Sequence, residues 1–151
     1  MGGFLVRLAD VDEIEEISDI YRRSSLSNAG DREVLLAHPE TLVFDGAPIR
    51  EGRTRVALDN GRIVGFATTR LAGDIVELDD LFVDPAWMRK GVARALVIDA
   101  VAVVRAGGSN RIEVTANPHA LAFYRAVGFV AEGTSPTQFG VGIRMHLDVA
   151  T

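Results

Sequence analysis

The chain has 151 residues, a formal net charge of -5, 25% charged and 48% hydrophobic residues, and no cysteine. This length suits one domain with a substantial core, and two full domains would be cramped. The composition excludes a disordered polymer, a disulfide scaffold, a thiolate metal site and a cysteine nucleophile, while the acidic balance argues against a protein built to neutralise nucleic-acid phosphates.

The opening Met1-Gly2-Gly3-Phe4-Leu5-Val6-Arg7 lacks the basic stretch and long apolar run of a signal peptide, and no other run is long enough to span a bilayer. A cytoplasmic protein with a single domain over residues 1–151 is the expectation. Phe4 to Leu8 predicts a short strand, and Asp10 to Arg23 predicts a helix with Ile14, Ile17, Ile20 and Tyr21 at helical spacing. Asp31 to His38 suits a second helix, and 39–54 reads as a loop because Pro39, Gly46, Pro48 and Gly52 interrupt it.

Arg55 to Leu58, Asn60-Gly61 and Arg62 to Leu71 form a hairpin signal, since Asn-Gly supplies the two positive-φ residues of a type I′ turn. Asp74 to Val83 predicts a long strand ending at Asp84-Pro85. Val92, Leu96, Val97, Ala100, Val101 and Val104 then share one helical face until Gly107-Gly108 stops it. Arg111 to Ala116 reads as a strand, Pro118 to Val127 as a helix, Gly128 to Ala131 as a strand, and a last strand ends near Leu147. The order implies an α/β fold: a mixed, mostly antiparallel central sheet with helices on both faces.

The segment from Asp84 to Arg94 joins the long strand to the valine-rich helix, where free backbone N–H groups and the helix dipole favour an anion. Gly91 and Ala93 keep the approach open. Arg89, Lys90 and Arg94 crowd cations at the end of the helix that is already partially positive, a conflict that a bound polyphosphate removes. Taken alone, the same charges also fit an exposed, solvated loop.

Glu77-Leu78-Asp79-Asp80-Leu81-Phe82-Val83-Asp84-Pro85, followed by Arg89-Lys90-Gly91-Val92-Ala93-Arg94-Ala95-Leu96, resembles the acetyl-CoA-binding core of the GNAT superfamily of N-acetyltransferases. Downstream, Asn117-Pro118-His119-Ala120-Leu121-Ala122-Phe123-Tyr124-Arg125-Ala126-Val127-Gly128-Phe129 resembles the family's second cofactor segment. Met88 stands where the family's loop pattern has Gln or Arg, which removes a side-chain phosphate contact there and leaves the backbone ones.

The resemblance implies an acyl-CoA N-acyltransferase fold with acetyl-CoA as acetyl donor and no metal. It also implies a small-molecule or protein amine as acceptor, with neither nucleic acid nor membrane as partner and a homodimer allowed. By position, the backbone of Leu81, Phe82 and Val83 takes the pantetheine and thioester carbonyl, and Arg89, Lys90, Gly91, Val92, Ala93 and Arg94 take the pyrophosphate. Asn117 matches a cofactor-contacting asparagine and is equally suited to capping the helix after it. Tyr124 matches the tyrosine that protonates the departing thiolate, and also reads as a packing aromatic beside Phe123. Glu77, six residues before Val83, matches the base glutamate of the histone-acetyltransferase branch, and also reads as an exposed strand carboxylate. Asp79, Asp80, His119 and His38 follow as base candidates, and His146 reads as structural or exposed.

Two other functions stay open at this level: a non-catalytic acyl-CoA-sensing module of the same fold, and an unrelated nucleotide-binding α/β protein. The second lacks the Gly-Lys-Ser/Thr ending that a phosphate loop of an NTPase needs.

Overall fold

The computed structural model of the chain describes residues 3–27, 29–137 and 140–149. Strand β1 (Leu5–Leu8) leads into Asp10, whose carboxylate accepts from the Asp12 N–H while the Glu13 carboxylate accepts from the Asp10 N–H. This capping box opens a 3-10 turn and then helix α1 (Ile14–Leu26). Helix α2 (Ala29–Ala37) follows.

The stretch expected as loop holds a 3-10 turn at Pro39–Leu42 and a short helix α3 (Ala47–Arg50). Each carries its proline in the first turn, where a missing N–H leaves no bond unmade. Leu42, Phe44 and Ile49 are buried, so this segment is part of the core rather than a surface connection.

The hairpin of β2 (Thr54–Asp59) and β3 (Arg62–Ala72) turns through Asn60 at φ 50° and Gly61 at φ 83°. Strand β4 (Ile75–Val83), helix α4 (Val92–Ala106), strand β5 (Arg111–Ala116) and helix α5 (Leu121–Ala126) come next. The strand expected at Gly128 to Ala131 is instead β6 (Val130–Thr137). Gly128 has φ 107°, a left-handed conformation that terminates α5 and cannot open a strand. Strand β7 (Gly140–Asp148) closes the fold.

The sheet order is β1-β2-β3-β4-β5-β7-β6. β1/β2, β2/β3, β5/β7 and β6/β7 pair antiparallel and β4/β5 pairs parallel, so the sheet is mixed and mostly antiparallel as expected. Pro136 is tolerated in β6 because that strand lies at the edge.

Two compact units divide the chain: residues 1–68 with 80–96, and residues 69–79 with 97–151. In the first, Ile17 and Ile20 of α1 pack with Phe44, Ile49, Val56, Leu58, Ile63 and Phe66, with Tyr21 and Phe82 against them. Burying each isoleucine contributes about 2 kcal/mol. A bulge at Val64 shifts the register from Ala57↔Gly65 to Leu58↔Ile63. While Phe66 turns towards α1, a Cβ on Gly65 would lie 2.8 Å from Val92 Cγ1 and 2.9 Å from the Phe82 carbonyl. Glycine is therefore required there for the start of α4 to close on the opposite face of the sheet.

In the second unit, Ile112, Val114 and Ala116 of β5 are buried. The alternate residues of β5, Arg111, Glu113 and Thr115, join a lattice of ion pairs and hydrogen bonds with Arg144, Glu77 and Glu132. Helix α4 stops at Gly108, φ 88°, where the Ser109 N–H reaches back to the Val104 carbonyl at 3.2 Å. Among the described residues no helix is long and apolar enough to cross a membrane.

Candidate active site

In the first unit, the loop proposed for the cofactor begins at Asp84. Its carboxylate accepts from the Ala86 N–H at 3.0 Å, and its carbonyl accepts from the Trp87 N–H at 2.7 Å, shaping a 3-10 turn over Pro85–Trp87. The Asp84 N–H donates to the Val64 carbonyl at 2.8 Å, using the acceptor that the bulge presents. Trp87 sets its ring edge-to-face against Phe4, and Lys90 Nζ lies 6.0 Å from the Trp87 ring centre.

The chain then passes through two left-handed residues, Arg89 at φ 62° and Gly91 at φ 89°. Alternation of this kind turns successive backbone N–H groups into a concavity suited to an anion. The Ala95 N–H makes the first helical bond, to Gly91, at 3.0 Å. The N–H groups of Val92, Ala93 and Arg94 therefore precede any helical acceptor. No atom lies within 4 Å of a Cβ built on Gly91, and among the described residues neither Arg89 nor Arg94 has a carboxylate partner. Free donors, unpaired cations and open space fit a pyrophosphate. Met88 is 52% exposed and offers it no polar group.

Leu81, Phe82 and Val83 lead into this loop along β4, with Val83 buried. The Phe82 ring stacks on Phe66 at 5.5 Å and meets Tyr21 at 5.0 Å. Tyr21 donates to the Thr41 carbonyl at 2.8 Å. Burial, and after it the Asp80 carboxylate, pushes its phenol above the ordinary range.

The second unit carries Glu77, Asn117 and Tyr124. The Asn117 side chain accepts from the His119 N–H at 3.0 Å and caps the turn at Pro118–Ala120, so its capping role is present. Tyr124 is 6% exposed on α5, with its ring edge-on to Phe123 at 5.3 Å and Phe129 at 5.2 Å. Burial pushes its phenol well above the ordinary range, which keeps it protonated.

Glu77 is not an exposed strand carboxylate. Arg144 on β7 grips both its oxygens, and the same guanidinium reaches Glu113 and the Thr115 hydroxyl. Asp79 pairs with Arg70 at 3.0 Å. His146 stands 3.4 Å from Glu132, His38 stands 3.4 Å from Glu40, and His119 is exposed. Arg144, 67 positions from Glu77, carries no local sequence signal. Gly65 did carry one, since an isolated glycine inside a strand marks a bulge or a close backbone approach.

A model of the acetyltransferase (GNAT) family matches residues 14–129. A glucosamine 6-phosphate N-acetyltransferase of Trypanosoma brucei brucei is 31% identical over 78 residues, 47% of this chain. That match spans only about half of the relative, 53% of its length. Among solved structures, a PaiA N-acetyltransferase of Thermoplasma acidophilum in complex with coenzyme A superposes with a TM-score of 0.77 at 16% identity, covering 97% of this chain and 99% of its own. The ribosomal-protein-S18-alanine N-acetyltransferase of Escherichia coli does so with a TM-score of 0.72 at 19% identity, covering 99% and 96%. At these identities the structural likeness speaks to the fold. With the family model covering 116 positions, 14 to 129, this chain belongs to the acetyltransferase (GNAT) family.

Proposed function

We propose that the chain is an acetyl-CoA-dependent N-acetyltransferase that delivers acetyl to a primary amine by direct attack in a ternary complex. The observation that carries this is the loop from Asp84 to Arg94, with its left-handed turns at Arg89 and Gly91, N–H groups on Val92, Ala93 and Arg94 that precede any helical acceptor, and two cations that lack a carboxylate partner among the described residues.

Bound acetyl-CoA supplies an activated acetyl group as a thioester. The loop, with Lys90 beside Arg89, holds the pyrophosphate, and Asn117 adds a cofactor contact. The β4 backbone at Leu81, Phe82 and Val83 takes the pantetheine and the thioester carbonyl, where one fixed N–H aimed at developing negative charge contributes about 3 kcal/mol. Glu77 receives the proton that an ammonium acceptor must lose before its nitrogen attacks. The carbon–sulfur bond then breaks, and Tyr124 gives the leaving sulfur its proton.

The acceptor is an amine whose class the relatives leave broad, since one named relative acts on a hexosamine phosphate and another on a protein alanine. The test is free-thiol release from acetyl-CoA across a panel of sugar amines, amino acids, polyamines and peptides. Release with one class supports the proposal and names the acceptor. Absence of acetyl-CoA binding in calorimetry overturns it.

A second reading, an acyl-CoA-binding module without turnover, is favoured by one pair of observations: Glu77 is engaged by Arg144, and Tyr124 is enclosed by aromatic rings. Tight binding without thiol release from any amine selects that reading.

A further inference from the structure

We infer that Arg23, on α1, is a positioning residue for cofactor binding: through Asp84 it fixes the start of the loop from Met88 to Arg94 without itself touching the cofactor. The inference rests on the reading of that loop as a pyrophosphate cradle. Asp84 is 3% exposed, and it is the one charged side chain among the described residues that is fully buried. A carboxylate withdrawn from water needs charge and hydrogen bonds in compensation. Arg23 Nη2 supplies them at 2.8 Å, Arg62 stands further off at 3.7 Å, and the Ala86 N–H occupies the other oxygen.

The backbone of Asp84 is committed as well. Its N–H donates to the β3 bulge at Val64 and its carbonyl accepts from Trp87. This one residue therefore ties together α1, the hairpin and the loop. The left-handed turns at Arg89 and Gly91 set the shape of the loop, but its placement against β4 depends on where the chain is anchored before it turns. Helix α1 grips that region twice, through the Tyr21 ring on Phe82 and through Arg23 on Asp84, on either side of Val83. Arg23 is 48% exposed, so its head can be changed without opening a cavity.

The test compares CoA with pantetheine, which carries the thiol arm and no pyrophosphate. Calorimetry measures affinity for CoA, and amide spectra of the wild type and variants follow Leu81 to Val83 and Gly91 to Arg94 as each ligand is added. In Arg23→Met we expect CoA affinity to fall about tenfold to a hundredfold, the scale of a misplaced binding group. The CoA response of Gly91 to Arg94 should shrink, while pantetheine still perturbs Leu81 to Val83 as in wild type. Arg23→Lys, which keeps the charge and loses the fork, should recover part of the affinity.

If Arg23→Met leaves Asp84 too costly to bury and the variant does not fold, Arg23→Met with Asp84→Asn removes the orphaned charge. That pair should bind CoA no worse than Asp84→Asn alone. Wild-type CoA affinity in a folded Arg23→Met overturns the inference, and so does an equal loss of response to both ligands, which would make Arg23 a general structural residue. Failure of the wild type to bind CoA at all removes the loop reading itself, and is distinguishable because no variant is then needed.

Discussion

Arg144 holds the Glu77 carboxylate in a fork, with Nη2 at 2.6 Å from one oxygen and Nη1 at 3.1 Å from the other. Sheet register makes this necessary, because Glu77 stands directly opposite Glu113 on the neighbouring parallel strand. Like charges so placed repel. One guanidinium answers both, and its own basicity is raised by Glu77 first and Glu113 after it. Replacing Arg144 with Met should destabilise the fold by about 1–3 kcal/mol, through Glu77 losing its donor and Glu113 being left to Arg111 alone. A lower urea midpoint with an unchanged slope checks this.

The base role of Glu77 is tested by Glu77→Gln, which keeps shape and removes basicity. Turnover should fall most at neutral pH and recover partly as rising pH frees the acceptor amine of its proton. A pH–rate profile matching wild type assigns the proton to another group, with Asp79, Asp80 and His119 next in turn. A uniform loss at every pH assigns Glu77 to acceptor positioning.

Tyr124→Phe should lower turnover on the order of 10²-fold while CoA affinity stays near wild type. Burial favours the neutral phenol, so Tyr124 keeps its proton above the pH at which a free tyrosine loses it. Any fall in wild-type activity at moderately alkaline pH therefore belongs to another group, and the Phe variant should show the same alkaline limb at reduced height. A limb that disappears in the variant would contradict this assignment.

Gly91→Ala should cost about 1–2 kcal/mol, because φ 89° disfavours a side chain although nothing crowds it. The protein itself leaves room there, so a side chain would meet only a bound ligand. Gly91→Asp adds a carboxylate to the cradle and should abolish CoA binding in a folded protein. Thermal midpoints measured with and without CoA separate the backbone cost from the lost ligand.

The Arg7–Glu13 pair gives stability a pH dependence. Arg7 first, then the Asp10 N–H, lower the Glu13 pKa below its usual 4.5, while burial opposes them. The folded state thus holds the carboxylate ionised at a pH where the unfolded chain has begun to protonate it. This contribution is present above the ordinary carboxyl range and is lost as pH falls through the lowered value. In Glu13→Gln, stability should drop at pH 7 and the acid limb of stability against pH should flatten, as urea titrations between pH 7 and pH 2 would read.

Much of this architecture was legible because its signals are local. Asn60-Gly61 specified a type I′ turn, Gly107-Gly108 stopped a helix, and Asp84-Pro85 ended a strand. The segment from 39 to 54 reads as loop because its prolines look like breaks, whereas they open two helical turns, and Leu42, Phe44 and Ile49 of this segment join the core. Gly128 reads as the start of a strand because its positive φ cannot be seen in a residue letter.

The loop proposed to hold the cofactor is visible as a contiguous run of residues. What anchors it is not. Arg23 meets Asp84 across 61 positions and Arg144 meets Glu77 across 67, and a single chain gives no local reason to pair them. The bulge at Val64 is marked only by the isolated Gly65 after it, and which residue is the extra one depends on how two strands register.

The left-handed Arg89 sets up a trade-off. An arginine at φ 62° stores about 1–2 kcal/mol that a glycine would not, so Arg89→Gly should give a more heat-resistant protein. The same change deletes one of the cations of the proposed cradle that have no carboxylate partner among the described residues. If the loop holds the cofactor as proposed, selection for thermostability alone would drift towards glycine at position 89 and weaken cofactor retention, so that robustness and ligand binding pull this position in opposite directions.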